Sequence, residues 1–123
     1  METGNFGLTL PARPEFVKVA RLTVGGLGTV LGFDFNATED LKLAVNEALN
    51  LMLSATPANG VVELAASWTD AALDVAMTGP AGADAADDED AAICVMVIEG
   101  CTDRATVERS ADRLSVRFAK LRA

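Results

Sequence analysis

The order of elements read along the chain, β-α-α-β-β-α-β-β, predicts the α+β class. The expected form is a two-layer α/β sandwich, with helices on one face of a mostly antiparallel mixed sheet. Two observations carry this. Apolar residues recur at helical spacing in two long stretches of the first half. Elsewhere they alternate with polar ones, in two pairs of segments each joined by a short turn. A chain of 123 residues suits one domain, residues 1–123, and half of its residues are hydrophobic, enough for a core of its own. Aromatics are only 5%, so Ala, Val, Leu, Ile and Met must build that core.

Phe6 to Leu10 reads as a short first strand ended by Pro11. Pro14 suits the first turn of a helix running to about Leu31, with Phe16, Val17, Ala20, Val24, Leu27 and Leu31 at helical spacing. Gly25, Gly26 and Gly28 each weaken it by about 1 kcal/mol against Ala, and either permit close helix packing or mark a local break. Gly32 is placed to terminate it. Asn36 followed by Glu39 resembles a capping box. The helix it opens has Leu41, Ala44, Val45, Ala48, Leu49, Met52 and Ala55 on one face, and Pro57, Asn59 and Gly60 break it. Val61 to Thr69 and Leu73 to Thr78 alternate as two strands around a turn near Asp70. Gly79 to Asp90 is expected to be a loop. A third helix is expected over Asp88 to Cys101, although periodicity alone also lets Ile93 to Ile98 be a buried strand. Ala105 to Arg109 and Arg113 to Leu121 close the chain as a hairpin.

Charge and composition exclude several classes. A net charge of −8 repels phosphate backbones and anionic lipid heads, so neither nucleic acid nor membrane is an expected partner. The apolar run Ala91 to Ile98 is far short of the ~20 residues of a membrane span, and no secretory leader is read at the start. The absence of His and Tyr removes Ser-His-Asp and Cys-His catalysis, and two cysteines alone make a poor zinc site. Cys94 and Cys101, seven residues apart on one helix, lie about 10 Å apart and beyond disulfide reach. They read as small buried hydrophobes in a reducing, cytoplasmic setting.

The residues with chemical potential begin with Glu47. Asp40, Glu47, Asn50 and Ser54 form one polar stripe opposite the apolar face of the second helix. That stripe is either a solvated helix face or an acidic wall where Glu47 orients a hydroxyl or water. Asp84, Asp87, Asp88, Glu89 and Asp90 crowd the start of the third helix. They suit a helix N-terminus, and they repel any triphosphate placed there. Gly26-Leu27-Gly28 follows no strand and lacks the Lys-Ser/Thr of a phosphate loop, so packing is the expected role. The acidic loop lacks the alternating ligand spacing and turn Gly of an EF-hand, and no metal site is expected. Arg104, Arg109, Arg113, Arg117, Lys120 and Arg122 concentrate positive charge near the end, as a solvated sheet edge or a docking surface for an acidic protein.

Leu8-Thr9-Leu10-Pro11-Ala12-Arg13-Pro14-Glu15-Phe16-Val17, then Arg21-Leu22-Thr23-Val24-Gly25-Gly26-Leu27 and Gly32-Phe33, resemble the opening of anti-sigma-factor serine kinases of the RsbW type. Glu39-Asp40-Leu41-Lys42-Leu43-Ala44-Val45-Asn46-Glu47-Ala48 resembles the helix carrying that family's first nucleotide motif. The resemblance implies the histidine-kinase-like (GHKL) ATPase fold. It also implies partner switching between a sigma factor and an anti-anti-sigma protein, and a homodimer. It places a catalytic base at Glu47, and a magnesium-ligating Asn at the position of Leu51, one residue from Asn50. The adenine-reading Asp falls on Gly79, with Thr78 beside it as a weak substitute. A serine/threonine-kinase-like scaffold with a degenerate ATP site is therefore expected, with ATP and magnesium disfavoured as cofactors. Glu47 is then a vestigial base position, and Asn50, Thr78 and Gly79 are weak cofactor-binding positions. The expected role is transcription regulation by protein binding, with an active kinase as the alternative.

Overall fold

The computed structural model describes residues 3–57, 59–82 and 89–122. Its strands are β1 (Gly4–Pro11), β2 (Val61–Trp68), β3 (Ala72–Pro80), β4 (Arg104–Arg109) and β5 (Arg113–Leu121). Its helices are α1 (Val17–Val30), preceded by a 3-10 turn at Pro14–Phe16, α2 (Phe35–Ala55) and α3 (Glu89–Cys101). The strands form one sheet in the order β1-β2-β3-β5-β4, and every neighbouring pair is antiparallel. The sheet thus has no parallel pair among the described residues, where a mixed one was expected. α3 carries the chain past β3 to the sheet edge, so β5 returns between β3 and β4.

Alternation decides which face of each strand is covered. Val62, Leu64 and Ala66 of β2, Leu73, Val75 and Met77 of β3, and Leu114, Val116 and Phe118 of β5 are buried in one cluster with the helices. Apart from the smaller Ala66, each such side chain contributes about 1.5–3 kcal/mol when fully buried. α2 is the central helix. It packs on both α1 and α3 and buries Leu41, Ala44, Val45, Ala48, Leu49, Leu51 and Met52.

The α1–α2 connection differs from the expected capping box. α1 ends in a Schellman motif, in which Gly32 (φ 85°) donates to Thr29 O and Phe33 donates to Gly28 O. That sharp stop leaves only Phe33 and Asp34 as a linker, so Asp34 becomes the cap. Its Oδ1 accepts from Ala37 N at 2.8 Å, while Asn36 already lies in the first turn. β1 runs on through Pro11, which the edge of a sheet tolerates. The α1 glycines cause no break. A Cβ on Gly25 would lie 2.8 Å from Lys42 Cδ, and one on Gly28 3.1 Å from Leu41 Cδ1, so both permit close approach of α2. Ile93 to Ile98 are helical, the stretch that periodicity left open.

Two cations of the C-terminal group serve the fold. Arg122 donates to Thr69 O at 2.7 Å and to Leu31 O at 2.8 Å, capping the end of α1. Lys120 sits among the covered residues of β5 and donates to Cys101 O (2.9 Å) and Asp40 Oδ2 (3.4 Å). It thereby ties β5 to the end of α3 and the start of α2. Among the described residues one buried hydroxyl is left over. Thr56 is 6% exposed and its Oγ1 has no hydrogen-bond partner. A Thr56→Val variant is expected to gain about 1 kcal/mol, read as a higher urea midpoint, because it removes a desolvated group at constant shape.

Candidate functional site

Three positions on α2 decide the chemistry available here. Glu47 is half-buried on the flank of α2 that faces α3. Its charge is felt at Cys101 on that helix. Burial raises the Cys101 thiol above its usual range, and Asp40 and Glu47 add to the rise while Lys120 opposes it. Among the described residues no hydrogen bond or ion pair engages the Glu47 carboxylate. Asn50 is exposed, three residues on around the same stripe. Leu51, next in the chain, is turned about 100° away and is 1% exposed within the core.

β3 supplies the other two positions, on opposite faces. Thr78 lies on the open face, in a groove of about 370 Å³ that Ala76, Thr106, Glu108, Ser115 and Arg117 also line. Strand alternation therefore carries it away from α2, and it does not join Glu47. Gly79 is buried on the helix side. A Cβ there would meet Met52 Cε at 3.0 Å, Thr56 Oγ1 at 3.2 Å and Val61 O at 3.2 Å. The last turn of α2 thus closes over Gly79, which brings no carboxylate of its own.

Glu89 and Asp90 occupy the first turn of α3, as the sequence suggested. Asp84, Asp87 and Asp88 lie outside the described residues. Among the described residues no cluster of three or more acidic or cysteine side chains could hold a metal ion. The expected positions are therefore scattered: Glu47 in the α2–α3 seam, Asn50 in solvent, Leu51 in the core, Thr78 across the sheet and Gly79 under α2. The residues that do converge are Asp40, Glu47, Cys101 and Lys120. A sequence signal for this existed, since Leu114, Val116, Phe118 and Lys120 share one strand face and a cation there needs partners. The basic C-terminal group also divides. Arg104 and Arg117 share the open face with Asp74, and Arg117 lines its groove beside Glu108.

The described helices include none long and apolar enough to cross a membrane. No protein-family model matches the chain. A stretch of 42 residues, 34% of this chain, is 50% identical to serine-protein kinase RsbW of Oceanobacillus iheyensis and to that of Listeria monocytogenes. A 41-residue stretch is 51% identical to serine-protein kinase RsbW of Halalkalibacterium halodurans. These matches span only about a quarter of the relatives' own length, 27% and 25% respectively. In structure, 96% of the chain superposes on 32% of a Mycobacterium tuberculosis chain containing RsbU and RsbW domains, with a TM-score of 0.76 and 14% identity. That likeness shows a shared fold.

Proposed function

We propose that this chain, a relative of the RsbW-type serine kinases, is a cytoplasmic anti-sigma-factor-like regulator that acts by binding rather than by ordinary ATP turnover. It would hold a sigma factor or an anti-anti-sigma antagonist in a partner switch, as a homodimer. The observation that carries the reading is Leu51. The resemblance puts a magnesium ligand there, and a leucine 1% exposed in the core cannot supply oxygen to a hard cation. Asn50 does not replace it, because one helical step points it into solvent. Gly79 adds a second support, since it offers no carboxylate to an adenine amino group. Cys94 and Cys101 form no disulfide, which accords with a reducing compartment.

One observation favours the second reading, an active kinase that phosphorylates an anti-anti-sigma serine. The Glu47 carboxylate has no described partner and so is available as a base. Calorimetric titration with magnesium-ATP separates the two. No binding tighter than about 100 μM is expected. Tighter binding that disappears in a folded Glu47→Ala variant would establish the kinase reading instead.

A further inference from the structure

α3 is apolar on every side where a helix lying at a surface needs only one apolar face. Ala91 to Ile98 is a run of about two turns without a polar group. α2 and β4 cover one side of the helix, where Ala91, Ile98 and Cys101 are buried. On the opposite side Ile93 is 52% exposed and Met96 68%. At 100° per residue Glu89, Ile93, Met96 and Gly100 fall within an arc of about 60°, the outermost line of α3. A Cβ built on Gly100 meets nothing within 4 Å, so the line stays open to its end.

The carboxylates that frame this stripe are unpaired. Glu89 and Asp90 open α3, Glu99 lies in its last turn, all three are exposed, and the helix carries no cation. Among the described residues no ion pair engages any of them. Glu89 and Asp90 suit a helix N-terminus, whereas Glu99 sits at the negative end of the dipole and opposes it. No basic residue in the last turn offsets that. Glu99 therefore weakens the helix that bears it.

We propose that the outer face of α3 docks a basic amphipathic helix of a protein partner. Ile93 and Met96 form the apolar anchor, and Glu89 and Glu99 hold a cation at each end. These two carboxylates stand about 15 Å apart along the axis, so a complementary helix carries Lys or Arg about ten residues apart, with apolar residues between. Charge decides among the occupants. A second copy would set these carboxylates against their equals, in a chain of net charge −8. An acidic protein and an anionic lipid surface are repelled for the same reason. The stripe is small, at the low end of specific interfaces below about 1,200 Å², so the contact is transient. The inference rests on the proposed role as a protein-binding regulator and gives that role a surface.

Fluorescence anisotropy on the full chain tests it, with a labelled Leu/Lys peptide of about four helical turns whose Leu recur at i, i+3, i+4 and i+7. A Leu/Glu peptide of the same pattern is the counterpart. The Lys peptide is expected to bind with a Kd below about 100 μM, and the Glu peptide not measurably. The double variant Ile93→Ser, Met96→Ser is expected to raise that Kd at least tenfold with an unchanged circular dichroism spectrum. Val30→Ser, which removes an exposed hydrophobe from α1, is expected to leave it unchanged. Glu99→Gln is expected to raise it about threefold and to lessen its dependence on salt. No binding of the Lys peptide, equal binding of both peptides, or a Kd that the double variant leaves unchanged each overturns the surface. The binding role itself is decided apart from these, by the magnesium-ATP titration, so the two failures are distinguishable.

Discussion

Leu51→Asn, which puts an asparagine where the resemblance implies a metal ligand, is expected to destabilise the fold by about 3–5 kcal/mol and to confer no magnesium-ATP binding. Leu51 is 1% exposed and belongs to the single cluster that joins α2 to the sheet. The replacement loses apolar burial, leaves space around a shorter side chain, and strands an amide among carbon atoms. Against a total stability of about 5–15 kcal/mol that is a large fraction. Urea unfolding reads it as a lower midpoint with an unchanged slope. Asn50→Leu, one residue away in solvent, is the matched control and is expected to shift stability by no more than about 0.5 kcal/mol. A Leu51→Asn protein of wild-type stability that bound magnesium-ATP would mean the position borders a working site.

Much of this architecture was legible because it rests on periodicity. The apolar face of α2 and the alternation in β2, β3 and β5 needed only spacing, and each element lies within a few residues of its expected span. What spacing did not reveal was set by contacts between distant residues. Asp34 displaced Asn36 as the cap because the preceding Schellman turn fixed where the linker ended. The roles of the three α1 glycines also separate only once α2 is in place. Gly25 and Gly28 lie against Lys42 and Leu41, and Gly26 faces outward, yet the sequence presents them as one weak run.

The candidate site shows the same division more sharply. That Leu51 and Gly79 carry no oxygen-bearing side chain was readable from residue type alone. That Thr78 faces the open side of the sheet while Gly79 lies under α2 follows from strand parity, which puts neighbours on opposite faces. The meeting of Asp40, Cys101 and Lys120 joins residues up to eighty positions apart, and only the crossing of β5 beneath the α2–α3 seam brings it about.

Gly79→Asp, which puts a carboxylate where the resemblance implies an adenine-reading one, is expected to cost about 3–4 kcal/mol, with Gly79→Ala costing clearly less. Its Cβ would press on Met52 Cε, which can swing aside, and on Val61 O at 3.2 Å, which as backbone in β2 cannot. Beyond the Cβ, a carboxylate would be held beside that carbonyl oxygen in a buried position, where like partial charges repel and water is excluded. One donor stands near: the Thr56 hydroxyl, 3.2 Å from the new Cβ and at present unpartnered. The two sites should therefore be coupled with opposite signs. Thr56→Val alone stabilises, because it removes an unsatisfied group; combined with Gly79→Asp it removes the carboxylate's donor. The double variant should fall about 1–2 kcal/mol below the sum of the singles. Additivity in urea unfolding would mean that the carboxylate finds water instead, and hence that the space under the last turn of α2 is open enough to receive a ligand.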